Sequence, residues 1–460
     1  MLRRLMQALP RLPKIRLPGI LGNHIQAPAA PILLPSNYLV DEEGLSAYDR
    51  DKFYPVHPGE RFNNRYRIIT KLGYGSMSTV WLAQDTSRWF WQPHRYVALK
   101  VSTSHQLSIS PIQRELEVSQ RIEEHSKNPE YALFRPVLDH FRVHRQDGTP
   151  HRCVTHALMR EPMDQFQARW PDERFTPTFV KLYVKFILEA LDFLHTKCNF
   201  IHGDLKMDNI LMTFEDPSVL QDLLDGLQNH SMPRKVDGDR TTYLANVDFG
   251  QLRSLRVLLK LTDYDRAQPG NFDGPMRHPM QNSVYRAPEV LMGLPWSYSL
   301  DIWNVGVLMW DMLEGRHLFT KVANGDDEYR PALHIAQMIS LLGHPPSDFL
   351  QSEKAWRHVQ WDPPVPKDSG KLCRYPHEYW DGPFFDDQGK FLYEDEVSKD
   401  IQLADKVTAI EGDEKVMFLD FAGQMLAWSP EHRKTARELL EHPWLDVGTG
   451  PASDNSKTSD

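Results

Sequence analysis

The feature that most constrains this chain is a polar turn between two apolar pairs. Phe200-Ile201 and Ile210-Leu211 flank the run His202-Gly203-Asp204-Leu205-Lys206-Met207-Asp208-Asn209. Apolar residues at both ends would anchor the loop in a core, while Asp204, Lys206 and Asn209 project from it. A carboxylate, a cation and an amide in this order can orient a hydroxyl, neutralise a phosphoryl group and hold a metal ion. The pattern indicates phosphoryl transfer, and a polar loop between two strands is the alternative.

The composition is that of a globular chain with an acidic body. Of 460 residues, 41% are hydrophobic and 25% are charged, and no apolar run approaches the roughly 20 residues that span a bilayer. The formal net charge is -9, and residues 1–40 contribute +5 to it because they contain five basic residues and no acid. The remaining residues therefore carry a net charge of -14. Such a body repels nucleic acid and favours basic peptides. We expect no direct nucleic acid partner, no membrane association and a monomer.

Cysteine usage bears on the compartment. The three cysteines have no metal-ligand spacing, which favours a reducing intracellular environment. They are Cys153, Cys198 and Cys373.

A glycine-bearing strand-turn-strand pattern begins at Tyr66. Gly73 and Gly75 would let the backbone approach phosphates closely, and Val80 would cover an adenine ring. Ser78 stands where the usual Gly-x-Gly-x-x-Gly has its third glycine, and an ordinary glycine hairpin is the alternative for this motif alone. The candidate ATP-binding residues here are Leu72, Gly73, Tyr74, Gly75, Ser76, Met77, Ser78, Thr79 and Val80.

An alternating strand, 96–101, carries a single lysine among apolar residues. Lys100 would hold the α- and β-phosphates and be fixed in turn by a glutamate on the following helix. Glu115 is the candidate, Glu117 is close enough for a register error, and a solvent-facing acid is the alternative for either. Next, residues 153–159 predict an edge strand and connector where a purine would bond the backbone. We therefore add Ala98, Ala157 and Met159 to the ATP-binding candidates, and we interpret His156 as a packed core histidine.

A helix is predicted over residues 179–195. Its apolar residues recur at spacings of three and four, as in a buried helix that leads into the polar turn. They are Phe179, Leu182, Tyr183, Phe186, Ile187, Ala190, Leu191 and Leu194.

The ordered set of motifs resembles the eukaryotic protein kinase superfamily from about Tyr66 to Leu445. Three further motifs complete the set: Val284-Tyr285-Arg286-Ala287-Pro288-Glu289, Asp301-Ile302-Trp303-Asn304-Val305-Gly306 and Trp428-Ser429-Pro430-Glu431-His432-Arg433. The resemblance implies an α+β, bilobal protein kinase fold with a small β-rich N-lobe and a large, mainly helical C-lobe. It also implies ATP and Mg²⁺ as cofactors. Glu289 would pair with Arg433, and Asp301 would brace the catalytic loop.

Within the superfamily, the amino-acid sequence around these motifs is similar to that of the kinases specific for serine/arginine-rich (SR) proteins. The similarity lies in the runs 71–75, 78–82, 296–304 and 311–319. It implies a serine/threonine kinase that phosphorylates serine in Arg/Ser-rich proteins and regulates mRNA splicing, located in the cytoplasm and nucleus. The basic, acid-free N-terminus keeps a mitochondrial location as the alternative.

Two aspartates compete for the magnesium position. Asp248-Phe249-Gly250 matches the family motif to the letter but follows a broken strand, whereas Asp263-Tyr264-Asp265 follows the strand 257–262 and precedes Ala267. We therefore choose Asp263, with Asn209, as the metal ligand. Residues 213–246 then become a spacer after the catalytic loop.

Departures from the family pattern carry two further expectations. Gly203 replaces the arginine that receives an activation-loop phosphate in many kinases, so we expect constitutive activity. Asp265 stands where the family has a glycine that permits a backbone flip, and it keeps a pseudokinase or scaffold as the alternative function. A small-molecule phosphotransferase also has His-Gly-Asp, but it lacks the later motifs.

The predicted domain organisation has four parts. Residues 1–60 form a flexible basic and Pro-rich extension, 61–160 the N-lobe, 161–446 the C-lobe and 447–460 a disordered tail. The C-lobe contains the spacer and an insert at about 350–415. The aromatic residues of the insert are expected to pack on the lobe, and the alternative is that its acidic residues bind a basic substrate.

Overall fold

The computed structural model describes residues 32–447 except 46–47, 90, 105–110, 230–231, 246, 271–273, 321, 323–327 and 368. Over this range the chain forms two compact units. The first runs to Glu161 and includes Leu211–Asp265, and the second comprises Pro162–Ile210 and the chain from Arg266 onward.

A six-stranded antiparallel sheet organises the first unit. Its order is β1-β2-β3-β4-β6-β5, so only β5 and β6 depart from chain order. Inward side chains alternate along the strands, as on a half-buried sheet, and form a core with Phe62, Trp81 and Leu99. The strands are β1 Arg61–Phe62, β2 Tyr66–Gly75, β3 Ser78–Asp85, β4 Arg95–Ser102, β5 Val137–His144 and β6 Pro150–Ala157.

The helix that carries Glu115 spans Pro111–Glu124. Val118 and Ile122 are buried on one side of it, which confirms the predicted helical periodicity.

Residues 1–60 are predicted to form a flexible extension, but the structure differs from this prediction in the second half of the segment. Residues 1–31 lie outside the described residues, but Val40, Phe53 and Val56 are buried. Val56 joins the core of the sheet, so apolar burial fixes this part of the chain.

The predicted spacer, 213–246, has structure of its own and belongs to the first unit rather than to the large one. It contains the helix Ser218–Asn229 and a hairpin of the strands Arg234–Asp237 and Arg240–Tyr243. The hairpin packs onto the sheet through Tyr243, whose ring lies 6.0 Å from that of Trp81. Asn246, assigned to a broken strand, lies outside the described residues.

The second unit is mainly helical. The buried helix predicted over 179–195 is confirmed as Pro177–Phe193, where Thr176 caps the first turn by accepting from the amide of Phe179. A π-turn, Leu194–Cys198, then ends at left-handed Asn199 and delivers the chain to the polar turn. The other helices are Met163–Gln167, Pro288–Met292, Ser299–Glu314, Pro331–Leu342, Ser347–Trp356, Pro376–Trp380, Gly412–Gly423 and Ala436–Leu439.

Helix Ser299–Glu314 is the centre of this unit, since every residue from Leu300 to Glu314 is buried. A helix that is apolar around most of its circumference requires such surroundings. The region 350–415 packs onto the same unit through Trp361, Trp380 and Phe385, which are buried. Short strands complete the chain: Phe200–Ile201, Ile210–Met212, Leu259–Leu261, Gln268–Pro269, Val365–Pro366 and Leu372–Cys373.

Two expectations concern the ends of the chain and membranes. Within the described part of the chain, no helix has the length and apolar character that a membrane span requires. Most of the tail assigned as disordered, from residue 448 on, lies outside the described residues.

Candidate active site

Lys100 lies on β4 between Val80 of β3 and Val154 of β6. Its Nζ is 2.6 Å from Oδ1 of Asp263 and 3.4 Å from Oε2 of Glu115, and its side chain is only 17% exposed. Burial opposes the charge of Lys100, but the carboxylates of Asp263 and Glu115 outweigh it and raise the Lys100 pKa. The lysine is therefore a fixed cation.

Glu115 joins Lys100 to a second basic residue. Its Oε1 lies 3.2 Å from Nε2 of His156, and both side chains are buried. Burial would raise the Glu115 pKa, but the charge of Lys100 and the bond to His156 lower it to about 2. Glu117, the competing candidate, instead pairs with Arg114 at 2.8 Å and is 42% exposed. The sequence interpretation of His156 as a packed core residue missed its contact with Glu115.

Asp263 has an unusual backbone. Its φ is +63°, a conformation that costs a non-glycine residue on the order of 1–3 kcal/mol and tends to occur at functional sites. Asp265, where a flip would have required positive φ, instead lies in the 3-10 turn Tyr264–Arg266 with negative φ. The strain thus falls on the residue that contacts Lys100.

Asp248-Phe249-Gly250 forms a surface turn. Asp248 is exposed, and its carboxylate accepts from the amide of Gly250 at 2.8 Å. The guanidinium of buried Arg160 donates to the carbonyls of Phe249 and Gly250. Of the two competing aspartates, the structure brings Asp263 to Lys100 and engages Asp248 in this turn.

The glycine pattern forms the end of the β2–β3 hairpin. Gly73 faces Val80 and Gly75 faces Ser78 across the ladder. A Cβ built on Gly73 would meet nothing within 4 Å, and its φ is not in the left-handed region. The fold itself therefore does not require glycine there, whereas close approach of a ligand would.

The connector candidates lie at the end of β6. Ala98 faces His156 in the ladder, and Met159 is buried. The carbonyl of Ala157 accepts from Nε of Arg135 at 2.8 Å. Burial lowers the pKa of Arg135 to about 10.

The polar turn lies in the second unit with its functional side chains close together. Asp204 and Asn209 are buried, and Nδ2 of Asn209 donates to the Asp204 carbonyl at 2.8 Å and to its Oδ2 at 3.2 Å. Lys206 lies 3.1 Å from Asp208, and Arg266 lies 4.0 Å from the Asp204 carboxylate. The structure thus holds the hydroxyl-orienting candidate and the amide candidate within one loop.

Asp301 holds the backbone of this turn. Its two carboxylate oxygens accept from the amides of His202 and Gly203, each at 2.8 Å, and His195 Nε2 lies 2.8 Å from one of them. Burial would raise the Asp301 pKa, but the hydrogen bond to His195 and that from the amide of Gly203 lower it, so the group stays ionised.

Gly203 has a steric explanation. Its φ is +75°, and an added Cβ would lie 2.4 Å from Cε of Met280 and 3.3 Å from the carbonyl of Arg266. A side chain as large as arginine does not fit this conformation.

Glu289 and Arg433 form a bidentate pair, with both oxygen-nitrogen distances 2.7 Å and both side chains fully buried. The guanidinium also lies 5.0 Å from the ring of Trp303. The activation segment is the stretch between Asp265 and Ala287, and the pair joins the chain that follows it to the last helices of the second unit.

Sequence reasoning missed the arginines of the activation segment. Arg277 is buried and donates to the carbonyls of Gly293, Trp356 and Val359. Arg286 lies between the rings of Tyr329 and Trp380, 4.8 and 4.5 Å from their centroids. A basic residue flanked in space by aromatic residues that are distant in sequence leaves no local signal.

A β-rich unit with a carboxylate-paired lysine and a helical unit with the His-x-Asp-x-Lys-x-x-Asn turn define the class of protein kinases. The chain matches the protein kinase domain family over residues 66–445, and it belongs to that family. A solved kinase domain superposes with a TM-score of 0.61 at 21% identity, covering 86% of this chain and 100% of that one. This likeness confirms the α+β kinase fold.

Relatives narrow the class to serine/threonine protein kinases of the SRPK-like group. A serine/threonine protein kinase of Aspergillus fumigatus is 32% identical over 418 residues, which cover 90% of this chain and 92% of the relative. The SRPK of Physarum polycephalum is 29% identical, covering 88% and 91%. Mouse SRSF protein kinase 3 is 33% identical over 178 residues, covering 38% and 30%.

Proposed function

We propose that this serine/threonine kinase transfers the γ-phosphoryl group of ATP to serine in Arg/Ser-rich protein segments and regulates mRNA splicing. Similarity to SRPK and to SRSF protein kinase 3 supports this substrate class. The observation that carries the proposal is acidic surface beside the polar turn. Asp208 is 59% exposed, and exposed Asp164 lies on the helix Met163–Gln167, which packs against the turn Met207–Asn209. Exposed carboxylates in this position favour an arginine-rich chain.

The roles assigned to the polar turn follow from its chemistry. Asp204 would orient the serine hydroxyl and accept its proton, and Lys206 would stabilise charge on the transferring phosphoryl group. The hydrogen bond that Nδ2 of Asn209 donates to the Asp204 carboxylate limits the rotation of Asp204. Asp301 fixes the loop backbone by accepting a hydrogen bond from the amide of His202. Preorganisation of this kind lowers the cost of reaching the transition state.

In the first unit, Lys100 would bind the α- and β-phosphates, with Glu115 keeping it in place. Asp263 and Asn209 are the residues that would hold Mg²⁺, because carboxylate and amide oxygens are its preferred protein ligands. Asp263 fits this role, since its side chain is 36% exposed and already binds a cation, Lys100. Asn209 fits as well, because it carries an amide oxygen and its Nδ2 holds it beside Asp204 in the same loop. Bound Mg²⁺ would neutralise phosphate charge.

The proposal is tested by phosphate transfer from Mg-ATP to Arg-Ser, Lys-Ser and Gln-Ser repeat peptides of equal length. We expect kcat/KM for the Arg-Ser peptide to exceed that for Gln-Ser by about tenfold or more, with Lys-Ser between them. Asp204→Ala should lower kcat on the order of 10²- to 10⁴-fold.

Two controls make the test specific. Asp208→Asn should reduce the preference for Arg-Ser and weaken its dependence on salt, whereas Asp239→Asn, at a 97% exposed side chain in the first unit, should change neither. Equal rates with all three peptides would contradict the substrate class. Equal rates for wild type and Asp204→Ala would contradict the assigned role of Asp204 and favour a scaffold.

A further inference from the structure

Lys71 is a buried cation two residues before Gly73, and its side chain is 1% exposed. Its Nζ lies 2.9 Å from Oδ2 of Asp41, contacts Glu42 and donates to the carbonyl of Tyr243 at 2.9 Å. A buried ammonium needs such partners because its desolvation is costly. The three contacts tie β2 to two other segments of the chain.

The two acids come from chain that precedes the residues matching the kinase family. They belong to the 3-10 turn Asp41–Gly44. Oδ2 of Asp41 also accepts from the amide of Ala245 at 2.7 Å, and its φ of +47° is a strained conformation for a non-glycine residue. One carboxylate therefore joins Lys71 to the chain after the spacer hairpin.

The hairpin of the spacer holds the same N-terminal segment a second time. Nζ of Lys235 donates to the carbonyl of Tyr38 at 3.0 Å and pairs with Glu43, and both charged side chains are nearly buried. Leu33 and Arg234 form a parallel bridge beyond this contact. Residues 38–45 are thus fixed to the hairpin on one side and to β2 on the other.

The anchored lysine lies at the root of the glycine turn. The register between β2 and β3 shifts between Lys71 and Gly73, which marks a bulge where the turn begins. Lys71 faces Trp81 on one side of the shift. Its Nζ also lies 5.7 Å from the ring centroid of Tyr74, within cation–π range of a residue in the turn itself.

We propose that residues 38–45 and the hairpin Arg234–Tyr243 form a clamp that positions the glycine turn through Lys71 and so sets its affinity for ATP. Lys71, Asp41 and Glu42 are positioning residues in this scheme. The proposal rests on the assignment of the glycine turn as the phosphate-binding loop. It makes the N-terminal segment part of the nucleotide site, although it lies outside the family match.

The test compares the full-length chain with Asp41→Asn/Glu42→Gln. The double variant leaves the ammonium of Lys71 buried without a carboxylate, so we expect the KM for ATP to rise on the order of tenfold. The KM for the peptide should stay within about twofold. Hydrogen exchange of the amides of residues 72–77 should accelerate. Asp237→Asn is the matched control, because Asp237 lies on the same hairpin but is 67% exposed where it pairs with Arg50.

A third variant separates positioning from simple stability. Lys71→Met/Asp41→Asn/Glu42→Gln removes the uncompensated charge, so thermal stability should return toward that of wild type. The KM for ATP should stay raised and the amides of residues 72–77 should still exchange fast. The reason is that Lys71 no longer bonds β2 to the N-terminal segment or to the hairpin. Recovery of all three quantities would reduce the cluster to a structural role and overturn the proposal.

Failure of the nucleotide assignment would be visible separately. If wild type neither binds nor uses ATP, the exchange measurement still decides whether the clamp restrains residues 72–77. Unchanged exchange in Asp41→Asn/Glu42→Gln would contradict the clamp whatever the activity.

Discussion

At the scale of single residues, two glycines serve opposite purposes. Gly203 is required by the fold, since its φ is +75° and a Cβ would meet Met280 and the carbonyl of Arg266. Gly73 has open space around it and no left-handed backbone, so only a ligand would exclude a side chain there.

Alanine at each glycine should therefore act on a different quantity. Gly203→Ala should lower the free energy of unfolding by about 1–3 kcal/mol, measured by denaturant titration, because alanine is strained at this φ. Gly73→Ala should change it by less than about 0.5 kcal/mol but raise the KM for ATP about tenfold. An unchanged KM in Gly73→Ala would argue against close approach of phosphate at this position.

The two aspartates of the competing metal motifs give a second prediction. Asp263→Ala should abolish Mg-dependent ATP binding, measured by calorimetry with and without Mg²⁺, because it removes the carboxylate beside Lys100. Asp248→Ala should leave binding within about twofold of wild type, since Asp248 only caps a surface turn. The reverse pattern would return the metal role to Asp248.

At the scale of elements, the activation segment is held by packing. Arg286 is stacked between Trp380 and Tyr329, and Arg277 is bonded to the end of helix Ser347–Trp356. Trp361 donates to the carbonyl of Arg277 at 3.0 Å. Trp361 and Trp380 lie in the region 350–415, so this region helps to hold the activation segment at Arg277 and Arg286.

Activity should accordingly not depend on phosphorylation of this segment. Phosphatase treatment and Ser283→Ala should each leave kcat/KM within about twofold, whereas Trp380→Ala should lower it about tenfold by releasing Arg286. Circular dichroism would verify that the Trp380 variant is folded. A severalfold gain on phosphorylation of Ser283 would refute constitutive activity.

At the scale of the whole molecule, a buried ion pair joins two segments of the second unit that are far apart in the chain. Glu289 and Arg433 are distant in the chain and fully buried, with two bonds of 2.7 Å. Removing one partner leaves a buried charge uncompensated, which costs more than the pair contributes.

Glu289→Gln should thus lower the free energy of unfolding of the second unit by about 3–5 kcal/mol, measured from the denaturation midpoint. Glu124→Gln, which breaks the exposed pair with Arg121, should cost less than about 1 kcal/mol. The double variant Glu289→Leu/Arg433→Met should recover much of the loss. A cost for Glu289→Gln no larger than that of the exposed pair would contradict this account.

The sequence alone determined the class of fold and the elements that carry the predicted site. Regular spacing of apolar residues located β2 to β4, the helix that carries Glu115 and the helix Pro177–Phe193, since local periodicity follows directly from which face is buried. The order of the motifs favoured Asp263 over Asp248 as the metal-binding candidate, because a predicted strand, 257–262, leads directly into Asp263.

Only the tertiary structure decided with which parts of the fold the distant segments pack. The spacer belongs to the β-rich unit because Tyr243 and Lys235 have partners there. Asp41 and Val56 are held in place because they contact Lys71 and the sheet core. The contact of His156 with Glu115 and the stacking of Arg286 arise in the same way. Burial of a charge or an aromatic ring depends on residues that chain order does not bring together, so no local pattern announces it.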